Sequence, residues 1–150
     1  LALGTPLEER FPAMRRDENL LTYVAAQYGA LSPKARRILH VLVDDGSGMT
    51  RNEIAAGLWQ PRLYAHDLKL LDHLEQARFI GAERRRRHHL EMDRNPEYRF
   101  MVENYREIYG GSMKHLRWGK FDYIWEYYVN GNMYGVLRKI IKNARKHGIA

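Results

Sequence analysis

The chain has 150 residues, of which 45% are hydrophobic and 29% charged, enough apolar material for one folded core and too much for a disordered chain. It contains no cysteine, which excludes disulfides, cysteine-ligated zinc and a thiol nucleophile, and a reducing, cytoplasmic setting is expected. The formal net charge of +7 makes a polyanion a natural partner, and no apolar run approaches a signal-peptide core or a membrane span.

Residues 1–16, with Pro6, Pro12 and mixed charges, read as an extended arm. Asp17 is placed to cap a helix whose stripe is Leu20, Leu21, Val24, Ala25 and Tyr28, with Gly29 as a left-handed stop. Ser32 and Pro33 supply a cap and a first-turn proline for a second helix that buries Ala35, Ile38, Leu39 and Leu42. The run Asp44 to Gly48 breaks it. Thr50 and Glu53 then have capping-box spacing for a short third helix holding Ile54, Ala55 and Leu58. After a turn across Gly57 to Pro61, the residues Leu63, Asp67, Leu70, Leu71 and Leu74 share one face of a fourth helix ending near Arg78.

Residues 82–92 and Tyr98 to Val102 read as two strands joined by the turn Asp93-Arg94-Asn95-Pro96. An aromatic stretch follows, with Tyr105, Tyr109, Trp118, Phe121, Tyr123, Trp125, Tyr127 and Tyr128, and a helix is predicted over Lys120 to Val129. The last helix is capped by Asn132, striped by Met133, Val136, Leu137, Ile140, Ile141 and Ala144, and stopped at Gly148. The expected fold is mainly α with a small β-hairpin.

The segment Leu31 to Val102 runs helix, short helix, turn, longer helix, basic hairpin, and that order resembles the winged helix-turn-helix superfamily. The stretch "TRNEIAAGLW…LKLLDHLEQARFIGAERRRR" looks like its second helix, recognition helix and first wing strand, and "LDHLEQARFI" is similar to the close of that unit in MarR-like and related regulators. The turn from Gly57 to Arg62 is longer than the family's usual one, and Pro61 stands where the recognition helix would begin. The resemblance implies duplex DNA binding, with the fourth helix in the major groove and the hairpin beside the backbone. It also implies flanking dimerisation helices, and the chain then divides into a winged domain over 17–102 and a helical extension over 103–150.

On that reading Arg62, Tyr64, His66 and Lys69 face the DNA from the fourth helix, arginine being suited to a guanine edge and lysine or tyrosine to phosphates. Arg84, Arg85, Arg86 and Arg87 alternate between the two faces of a strand, and Arg94 sits in its turn, so these supply the phosphate contacts. Arg138, Lys139, Lys142, Arg145 and Lys146 are read as complementing the C-terminal end of the last helix dipole, with a second phosphate contact as the alternative. The aromatic region reads as core and subunit interface, with Ile140 and Ile141 in a homodimer contact. No metal-ligand spacing, phosphate loop, dinucleotide fingerprint or nucleophile motif is present, so neither a cofactor nor an enzyme is expected. The expected function is a dimeric, sequence-specific transcriptional regulator. A DNA-binding protein of plasmid or viral replication or partition, and a winged-helix protein adaptor, are the alternatives.

Overall fold

Helix α1, Arg16–Gly29, opens the computed structural model, which describes residues 16–105, 107 and 122–148. The expected arm up to residue 15, and Tyr109, Trp118 and Phe121, lie outside the described residues. Helix α1 starts one residue before the expected cap Asp17, buries Val24 and Tyr28, and ends at Gly29 without a left-handed turn. In α2, Pro33–Asp45, the Ser32 hydroxyl accepts from the Ala35 N–H and Pro33 occupies the first turn. Gly46, at φ 75°, closes that helix by donating its N–H to Leu42 O.

Strand β1, Met49–Thr50, runs directly into α3, Arg51–Gly57. The capping box is formed: Glu53 N–H donates to Thr50 Oγ1 at 3.2 Å, and Thr50 N–H donates to Glu53 Oε1 at 2.8 Å. Helix α4, Ala65–Gln76, buries Asp67, Leu70, Leu71 and Leu74, the face set by the apolar spacing. Then come β2, Ile80–Arg86; α5, Arg87–Arg94; α6, Pro96–Glu103; β3, Tyr123–Val129; and α7, Gly131–Lys146.

The described residues are mainly helical, with one small antiparallel sheet in the order β1-β3-β2. Arg87 N–H donates to Asp122 O and Asn130 N–H to Phe79 O, so β2 and β3 pair in a single unbroken register. This register sets Gly81 against Tyr128, where a Cβ on Gly81 would lie 2.5 Å from the tyrosine ring.

Residues 87–92, expected as the end of a strand, and Arg94, expected in its turn, lie in helix α5. The strand partner of β2 is β3 and not Tyr98 to Val102, and the helix expected over Lys120 to Val129 is overturned at Tyr123–Val129, which is a strand. Asn95-Pro96, read as a hairpin turn, starts a helix: the Asn95 side chain accepts from the Glu97 and Tyr98 N–H groups, and Pro96 needs no donor in the first turn. Residues 87–122 are therefore inserted between the paired strands.

The chain separates into two units, Leu1–Gly81 with Tyr127–Ala150, and Ala82–Glu126. The expected boundary after residue 102 falls inside the second unit. In the first unit α1 packs on α7, and α2 packs on α3, α4 and α7. Ile38, Leu39, Leu42, Ile54, Leu71, Leu74, Leu137 and Ile141 are essentially sealed from water, each worth roughly 1.5–3 kcal/mol of burial. Arg145 makes a bidentate pair with Asp44, at 2.8 and 3.1 Å, so this α7 cation ties the helix end to α2. Beneath it the Tyr28 hydroxyl lies 2.6 Å from His40 Nε2. Burial first, then the Arg145 charge, pushes the His40 ring below its ordinary value. In the second unit Leu90 is buried and His88 Nδ1 lies 2.7 Å from the Tyr98 hydroxyl, joining α5 to α6.

Candidate nucleic-acid interface

The long turn between α3 and α4 is held by the buried carboxylate Asp67, only 1% exposed. Its Oδ2 accepts from Tyr64 N–H and from Gln60 Nε2, each at 2.9 Å, and its Oδ1 pairs with Lys34 Nζ at 2.7 Å. Gln60 Nε2 also donates to Arg62 O, so one carboxylate fixes the path of the turn from Gln60 to Tyr64. Burial opposes the charge, but Lys34, the Tyr64 N–H and Gln60 together outweigh it and hold the carboxyl at about 2. The extended turn with Pro61 is thus a braced structure that delivers α4 at a set angle.

On the other side of α4 its N-terminal half is open to solvent. Arg62, Tyr64, His66 and Lys69 are all exposed, and the Arg62 guanidinium lies 5.3 Å from the Tyr64 ring centroid. Of the four residues expected on the helix, His66 and Lys69 lie on α4, Tyr64 is its N-cap and Arg62 sits in the turn before it. Sequence reasoning passed over Trp59. Trp59 N–H donates to Ala56 O and Gln60 N–H to Ala55 O, the bond pair of a Schellman closure, and Trp59 takes its left-handed position at φ 60°. Glycine is usual at such a site, and a side chain there costs roughly 1 kcal/mol.

The hairpin arginines divide by face. Arg84 and Arg86 are exposed on one side of β2, with Tyr123 and Trp125 on the same side of β3, and the Arg84 guanidinium sits 4.4 Å from the Tyr123 centroid. The opposite side is an ion-pair cluster. Arg85 binds Asp93 at 2.6 Å and Glu126 at 3.5 Å, and Arg94 binds the same Glu126. Arg87 opens α5 and lies 3.8 Å from Asp122. The Arg85 hydrogen bond holds the Asp93 carboxyl below its usual range. Intrachain acids already neutralise Arg85, Arg87 and Arg94, whereas Arg84 and Arg86 have no acid partner among the described residues.

Tyr123 and Trp125 thus stand on a sheet, the setting in which exposed aromatics can meet bases. The alternation in YIWEYYV and its β-branched and aromatic content are the signals that would have found them. Among the described residues no cluster of three or more histidine, aspartate or glutamate side chains could hold a metal, and no helix is long and apolar enough to cross a membrane. Comparison with family models, curated proteins and solved structures returns no match.

Proposed function

We propose that this chain binds double-stranded DNA as a winged helix-turn-helix protein, with α4 as its recognition helix, and acts as a sequence-specific transcriptional regulator. The observation that carries this reading is the exposed set Arg62 in the turn, Tyr64 at the N-cap, and His66 and Lys69 on α4, a helix whose opposite face is buried in the core. The element order α2, β1, α3, α4, β2, with β2 paired to β3 beyond the inserted α5 and α6, and the strand order β1-β3-β2 support it, being compatible with a helix-turn-helix followed by a two-stranded wing. Arg84 and Arg86 add phosphate contacts.

Selection from random duplexes at about 150 mM salt tests it. One enriched motif is the expected result, and Arg62→Ala or Lys69→Ala should change preference at one position by ~1–3 kcal/mol. Uniform weakening of all sites would restrict these residues to the backbone, and no retained duplex would overturn the reading. Genomic or plasmid fragments retained as one palindrome favour a regulator, while arrays of repeats favour a replication or partition protein.

A homodimer fits this function, because two-fold pairing sets two recognition helices about one DNA turn apart. Leu21 and Ala25 of α1 and Lys139 and Ile140 of α7 line an open groove of about 510 Å³, which is the surface we assign to pairing. Ile141 is not part of it, since it is buried within the chain. Sedimentation at micromolar concentration should give a dimer that Leu21→Glu with Ile140→Glu converts to a folded monomer. A monomeric parent chain would remove the dimer from the proposal.

A further inference from the structure

Trp59 is 96% exposed, the extreme among the large apolar side chains of the described residues, and it occupies a backbone position that favours glycine. The Schellman bonds need a left-handed residue there, and they would form with glycine equally well. Tryptophan therefore brings a strained backbone and a hydrated indole, and no ring or hydrogen-bonding side chain among the described residues offsets either. An outlier with no internal compensation points to an external contact.

The surroundings specify the contact. In the same turn and the start of α4 stand Arg62, stacked on Tyr64, then His66 and Lys69, while the acid of this region, Asp67, is buried and paired. An indole beside clustered cations matches a flat aromatic ring carried on an anionic backbone. A second copy of this surface would bring like charges together.

We propose that Trp59 stacks on a nucleobase at an unpaired or opened step of the DNA that α4 engages. The inference rests on the DNA-binding reading above and narrows its ligand from a uniform duplex to one with an unstacked base. Apolar side chains inserted at base steps cost unstacking energy, which is least where a base is already unpaired.

The test uses the full chain and two labelled probes of one sequence, a paired duplex and the same duplex with a single unpaired base, at ~50 mM salt. The parent chain should bind the second probe more tightly. Trp59→Gly should weaken binding to that probe by roughly five- to hundredfold, the range for one lost base stack. Trp59→Phe should retain most of the affinity. Removing the strain should also raise the thermal midpoint of Trp59→Gly by ~2–4 °C, so that lost binding is not lost folding. Equal binding of both probes by the parent chain, or parent-like affinity in Trp59→Gly while Lys69→Ala weakens, overturns the stacking role and leaves DNA binding intact. If the parent chain binds neither probe, the DNA-binding reading fails and this inference with it.

Discussion

On the proposed DNA-binding reading, replacing Arg84 and Arg86 together with alanine should weaken duplex binding roughly tenfold to hundredfold near 150 mM salt, because two assigned phosphate contacts and their released counterions would be lost. If about six phosphates are neutralised, the parent chain loses on the order of 10³ in affinity between 50 and 200 mM salt. The double variant should reduce the log-log slope by about 2. Arg85→Ala with Arg87→Ala should change it less, since Asp93, Glu126 and Asp122 already oppose those charges within the fold. Equal effects of the two pairs would show that the ion pairs open on binding, and a flat salt response would end the phosphate-contact assignment.

The largest stability effect is expected at Asp67. Asp67→Ala removes the acceptor for Tyr64 N–H and Gln60 and strands Lys34, which is partly exposed and can turn to water. The loss should be about 2–4 kcal/mol, below the full cost of a buried orphan charge. The pH dependence has a definite sign. The Asp67 carboxyl is held at about 2 in the fold against ~3.9 when unfolded, so its contribution is present above pH ~4 and is lost as pH falls toward 2. His40 adds to acid lability earlier: its folded value is lowered, so stability begins to fall as pH drops through ~6.5. Denaturant melts across pH 2–7 should show both windows, and Asp67→Asn should flatten the lower one. A variant within ~0.5 kcal/mol of the parent would mean that the turn is held by other bonds.

Helices α2, α3 and α4 are legible in the sequence because their signals are local. Ser32-Pro33, the Thr50 to Glu53 box and the leucine spacing each act within one or two turns. The strand pairing is not legible in that way. Its partner lies beyond residues 87–122, and Asn95-Pro96 suits a turn and a helix start equally, so the choice is made by the burial of Leu90 and Tyr98. Arginine content at 84–87 is visible in the sequence; which arginines stay available depends on Asp93, Asp122 and Glu126, the last 41 positions away from its partner Arg85. Trp59 escapes sequence reading for another reason. Its significance lies in a backbone angle and in exposure, and neither follows from residue type.

The alternation of β2 has a consequence for how this surface tolerates length changes. Pairing of residue 87 with 122 and of 79 with 130 decides which arginines lie beside Tyr123 and Trp125. A single residue inserted after Gly81 would exchange the two faces of the strand beyond it. Arg84 would then take the place facing Glu126, and Arg85 would stand with Glu83 beside the aromatic rings, so each face would still receive an arginine. Strand β3 has no such redundancy: a one-residue slip there would replace Tyr123 and Trp125 with Ile124 and Glu126 on the exposed face. Insertions should accordingly be survivable in β2 and damaging in β3, a difference in mutational tolerance between two strands of one hairpin.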